Sequence, residues 1–164
     1  MDKRWSKIKK HLESSLCDRL KGRVTYFATS YRGAHDGQGR VAILVDKKEI
    51  INAPFSTWNG DCFSEYAEWE NSTSEDKGTR EDIIKRIDDR LARNGIFEPV
   101  VFADAYDEFC TCPITECLSS DNYITRIIAV IDKRTGRQTL EKMKDSMENE
   151  PAWFRYFYDL RVNA

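Results

Sequence analysis

Residues 122–135 read NYITRIIAVIDKRT, and whether they form a helix or a strand decides the fold. The isoleucines and Val130 favour a strand by propensity. Their spacing says otherwise. Ile124, Ile127, Ile128 and Ile131 stand at i, i+3, i+4 and i+7, the helical template without a gap. Ser120, Asp121 and Asn122 offer N-caps ahead of the run, Lys133 and Arg134 suit a helix C-terminus, and Gly136 offers a cap beyond it. The spacing therefore predicts a helix over 122–134 with a buried face. The rest of the C-terminal third follows in kind. Leu140, Met143 and Met147 keep helical spacing, and after Pro151 the residues Trp153, Phe154, Phe157, Tyr158 and Leu160 make an aromatic helix.

Strands are then confined to one region. The stretches 23–32 (RVTYFATSYR), 40–46 (RVAILVD) and 49–55 (EIINAPF) are rich in β-branched and aromatic types. GAHDGQG at 33–39 reads as a hairpin loop, and Asp46-Lys47-Lys48 as a second, tighter turn. Pro54 lacks an N–H, so the third strand lies at an edge or ends there. Ahead of this meander, Trp5, Ile8, Leu12, Leu16 and Leu20 share one helical face, and Gly22 supplies the C-cap. After it, Asn59-Gly60 reads as a turn into a short amphipathic piece carrying Phe63, Tyr66 and Trp69. A polar loop at 71–78 precedes a capping box at Thr79 and Asp82, then a helix through Ile83, Ile84, Ile87 and Leu91 that Gly95 closes. The fold class expected is α+β: an N-terminal helix packed on a three-stranded antiparallel meander, followed by a mostly helical C-terminal half. With no repeat and no composition break, residues 1–164 are expected to form a single domain.

Hydrophobic residues at 40% suffice for a packed core at 164 residues without a metal or disulfide. The first residues, MDKRW, begin no apolar leader, and no window is apolar enough to span a bilayer, so a cytoplasmic protein is expected. Its five cysteines, at 17, 62, 110, 112 and 117, are then expected to be reduced. The net charge of −2 conceals a strong segmental bias. Residues 1–48 hold 12 Lys and Arg against 5 Asp and Glu, net +7, and residues 49–122 hold 6 against 17, net −11. Either the two segments neutralise one another, or they leave a polarised surface for a charged partner.

Several motifs resemble one family from end to end of the chain. They are Arg4-Trp5-Ser6-Lys7-Ile8-Lys9-Lys10 with Gly22-Arg23-Val24, then Tyr31-Arg32-Gly33-Ala34-His35-Asp36. Ser120-Asp121-Asn122 through Ile131-Asp132-Lys133-Arg134-Thr135-Gly136-Arg137 follows, and Phe157-Tyr158-Asp159-Leu160-Arg161 closes the series. The family is one of small bacterial proteins named after a Shigella open reading frame. The resemblance implies a bacterial cytoplasmic protein and carries no activity with it. It also implies that the stretch matching 109–118 is usually aromatic and aliphatic in relatives rather than cysteine-bearing.

Three constellations invite a functional reading. Cys110, Cys112 and Cys117 are spaced C-x-C and C-x₄-C, poor zinc knuckles, so no metal is expected. Arg32, His35 and Asp36 share a glycine-rich loop. Imidazole beside carboxylate can serve a general base, which makes a small hydrolase or lyase using His35 and Asp36 the enzymatic alternative. No Ser or Cys nucleophile can be placed beside this pair from sequence, and no Walker loop, Rossmann glycine fingerprint or H-E-x-x-H motif is present, so the expectation leans away from an enzyme. Arg32, His35 and Asp36 are read instead as partner contacts, with Lys7 and Lys10 of the basic first helix. That helix could also track a phosphate backbone, yet the pI of about 5.8 is wrong for a dedicated nucleic-acid binder. The reading is thus a non-enzymatic module that binds another bacterial protein, of inhibitor or immunity type, without cofactor, membrane or nucleic acid.

Overall fold

A computed structural model describes residues 4–30, 39–73 and 78–164. Helix α1 (Trp5–Ser15) leads into strands β1 (Val24–Ser30), β2 (Gly39–Val45) and β3 (Lys48–Pro54). Among the described residues seven further α-helices follow: α2 (Phe55–Asn71), α3 (Arg80–Arg93), α4 (Pro99–Thr111), α5 (Ile114–Cys117), α6 (Tyr123–Ile131), α7 (Arg137–Met143) and α8 (Ala152–Val162). The α+β architecture is the one the periodicities predict. The sheet is a plain meander in the order β1-β2-β3, antiparallel throughout. Asp46 and Lys47 make the β2–β3 turn with φ of 50° and 69°, the left-handed pair that a two-residue hairpin turn requires. The β1–β2 loop, in which Arg32, His35 and Asp36 were expected at an exposed tip, lies outside the described residues.

The decisive stretch is helical. Asn122 caps α6, its side-chain oxygen accepting the Ile124 N–H at 2.9 Å. Only Tyr123 and Arg126 of its nine residues escape full burial. A helix apolar on nearly every side must lie inside the molecule, and α6 does, packed against α4, α5 and α8. Its β-branched residues stay helical because tertiary burial outweighs a propensity deficit of less than about 0.7 kcal/mol each. Above it, α1 packs on β1 and α4 on β2. The Phe102 ring meets both Trp5, at 5.8 Å, and Tyr26, at 6.1 Å, which welds helix, helix and sheet into one core.

The structure departs from the periodicities in three places. First, α1 does not run to Leu20. It stops at Ser15, because the Lys133 N–H donates to Ser15 O at 2.8 Å and the Cys17 N–H donates to Ile131 O at 3.1 Å. The chain leaves the helix to pair with the end of α6, and Leu16 and Leu20 are buried all the same. Gly22, at φ 80°, then turns the chain into β1 rather than capping the helix. Second, Asn59 and Gly60 are no turn and lie inside α2, a 17-residue helix that packs along α3. One interior glycine costs a helix only about 1 kcal/mol, which packing against a neighbour offsets. Third, α6 ends at Ile131 and not near Gly136, which instead precedes α7. The capping box was legible: Thr79 Oγ1 accepts the Asp82 N–H at 3.2 Å, and Asp82 Oδ2 accepts the Thr79 N–H at 3.0 Å. Gly95, at φ 74°, ends that helix as its composition predicts.

Candidate functional site

Two of the predicted contact residues, Lys7 and Lys10, are solvent-facing on α1. Arg32, His35 and Asp36 cannot be joined to them, since they fall outside the described residues. The ion pairs show how the segmental charge is arranged. Lys9 pairs with Glu13 of its own helix, Arg23 with Asp46, and Arg90 with Glu65. Arg40, whose guanidinium forks onto Glu49 across β2 and β3, does join the basic segment to the acidic one. That bridge belongs to the sheet, far in sequence from the carboxylates of α3 and α4.

The motif residues turn out to hold the central helix at both ends. At the N-terminal end, Ser120 Oγ donates to Glu108 Oε2 at 2.9 Å and accepts the Asn122 N–H at 3.0 Å. Thr125 Oγ1 donates to the same Glu108 oxygen at 2.6 Å, tying α6 to α4. At the other end Asp132 is fully buried. Its carboxylate accepts the Arg134 N–H at 2.6 Å and the Arg134 guanidinium at 3.0 and 3.1 Å. Thr135 Oγ1 donates to Ala129 O at 2.6 Å, and Arg161 donates to Thr135 O at 2.8 Å. Tyr158 closes the set, donating to Leu140 O at 2.8 Å. Buried polar groups need such partners. These residues serve the fold and leave function to be sought elsewhere.

One such place is the cleft where the end of α3 faces the start of α4 and the turn before α6. Asp88 and Asp89 of α3, Glu98 before α4 and Asp121 before α6 line it, over a floor of Ala92, Ile96, Phe97, Val101 and Tyr123. It holds about 200 Å³, and among the described residues no lysine or arginine lines it. The carboxyl of Glu98 is raised above the usual range, first by burial and then by the negative charges of Asp88 and Asp104. Next to it, sharing Asp89, Asp121 and Tyr123, a larger hollow of about 510 Å³ is bounded by Lys85, Ser119, Ser120 and Arg126. Arg126 is committed elsewhere: it pairs with Glu150, and its guanidinium lies 4.4 Å from the Phe154 ring centre. The cleft is therefore an acidic mouth on an apolar floor. Sequence reasoning registered the acidity of residues 49–122 but not these four carboxylates, because 33 positions separate Asp88 from Asp121.

The cysteines whose side chains are described divide by accessibility. Cys17 and Cys117 are buried, Cys112 is half-buried and Cys110 is exposed. Burial pushes the Cys117 thiol up, as expected of an inert core residue. Among the described residues no three of His, Cys, Asp and Glu converge in a way that could hold a metal ion. No helix among them is long and apolar enough to cross a membrane.

No curated protein and no solved structure matches the chain. One family model does, over residues 4–162, so that its span takes in α1, all three strands and every later helix, including both ends of α6 where the shared motifs do their structural work. The chain is thus a member of the SF0329 protein family.

Proposed function

We propose that the protein is a binding module for another bacterial cytoplasmic protein, and that its acidic cleft takes a basic segment of that partner. The observation that supports this most is the cleft itself. Asp88, Asp89, Glu98 and Asp121 surround an apolar floor that no cation among the described residues lines, and the Glu98 carboxyl is raised above its usual range, first by burial and then by the charges of Asp88 and Asp104. A lysine or arginine seated there relieves that repulsion, while its methylene stem covers Ile96 and Val101. Complementary charge also steers the encounter and fixes the register of docking. The exposed Lys7 and Lys10 on α1 offer a second, oppositely charged contact. The interaction is read as recognition, without catalysis.

The test is affinity capture from the native host with the wild-type protein and with Asp89→Lys/Asp121→Lys. The expected result is a stoichiometric partner retained by the wild type and lost from the variant. Binding of the purified partner should weaken by at least about tenfold, or 1.4 kcal/mol. It should also weaken with salt, as an interaction between surface charges does. A partner held equally by the charge-reversed protein would refute the assignment of the cleft.

A further inference from the structure

At the opposite end of α4 from the acidic cleft, His11 of α1 meets Tyr106 and Cys110 of α4 across 95 and 99 positions of sequence. His11 Nδ1 lies 2.9 Å from the Tyr106 hydroxyl and 3.9 Å from Cys110 Sγ. The thiol is exposed, in the last turn of α4, beside a pocket of about 350 Å³. Lys133 and Arg134 line that pocket with Ser14 and Phe109. Asp132 also borders it, but its carboxylate is fully buried and turned to the Arg134 backbone and guanidinium. The Arg134 side chain is 47% exposed and lies 4.9 Å from the Phe109 ring, while Lys133 Nζ donates to Ser14 O at 3.3 Å. Nearby Asp18 is engaged by Lys21 at 2.7 Å. The solvent-facing rim of the pocket is therefore cationic.

We propose that Cys110 is a site of reversible thiol–disulfide exchange with a small anionic disulfide, whose carboxylates seat on Lys133 and Arg134. The pocket is at the lower end of the size range of small-molecule sites. In the exchange, the Cys110 S–H proton passes to His11 Nδ1 as Sγ attacks one sulfur of the disulfide. The S–S bond breaks, a new Sγ–S bond forms, and the departing sulfur takes the proton back from His11 as a free thiol. The Cys110 sulfur is oxidised and the departing sulfur reduced, so no further oxidant is needed. Tyr106 suits the step. Burial and its hydrogen bond to Cys110 push its phenol up to about 12, so it keeps its proton and donates to the developing thiolate, leaving the Nδ1 lone pair to take the Cys110 proton. Among the described cysteines, the access that exchange requires is best at Cys110, the exposed one.

The experiment follows mixed-disulfide formation by intact mass and peptide mapping. The probes are glutathione disulfide, which is anionic, and cystamine, a cationic disulfide of the same chemistry. Each rate is divided by that of a short cysteine peptide with the same probe. The first adduct should map to Cys110, and the normalised rate should favour glutathione disulfide by roughly tenfold, the scale of electrostatic focusing in a charged cleft. Lys133→Gln should erase most of that preference without changing the melting temperature. His11→Gln should slow both probes alike. A first adduct at any other cysteine, or a preference no greater than the peptide's, would overturn the proposal.

Discussion

Replacing Ile128 by alanine tests the reading on which the fold rests. The side chain is 1% exposed, on a helix surrounded by α4, α5 and α8. The substitution removes three carbons from the core. At about 0.8 kcal/mol per buried methylene, the transfer contribution alone is roughly 2.4 kcal/mol. The cavity adds to this to the extent that the surroundings fail to relax, which places the whole loss within about 2–5 kcal/mol. Relaxation should be limited here, because Asn122 and Asp132 anchor the two ends of the helix. For a chain of this size each kcal/mol lowers the melting temperature by about 2–4 °C, so a fall on the order of 10 °C is expected. Urea unfolding gives the free energy directly, and the slope should match wild type, because the change affects the native state and not the extent of unfolding. Val100→Ala, at a position 50% exposed, serves as the control and should cost under about 0.5 kcal/mol. A loss at Ile128 below about 1 kcal/mol would refute the burial of α6, and with it the argument from isoleucine spacing.

Two further outcomes follow from the site and from the helix ends. Because the folded state raises the Glu98 pKa, that group favours folding below its ordinary range and loses the contribution as pH rises through the folded value. Glu98→Gln should therefore stabilise the protein at neutral pH, and the difference from wild type in thermal melts should shrink on acidification through the carboxylate range. Thr79→Ala removes the reciprocal cap of α3 and should cost about 1 kcal/mol, with amide exchange quickened first over the opening turn of that helix.

Residue spacing alone determined the class of fold. A period of 3.6 in the isoleucines of α6 and a period near 2 through residues 23–55 are local properties of a chain that must bury one face of each element. The same holds for the Thr79 capping box and the αL closure at Gly95, which involve groups within a few residues of each other. Tertiary structure decided what no local pattern encodes. Where α1 stops depends on hydrogen bonds to Ile131 and Lys133, well over a hundred positions away, and α2, which runs through Gly60, packs on α3. The acidic cleft exists because two helix ends and a turn meet at Asp88, Glu98 and Asp121, and the thiol site because α1 brings His11 to Cys110 across 99 positions. Charge and reactivity depend on which groups face one another through space, and that is set by the packing of the core beneath them.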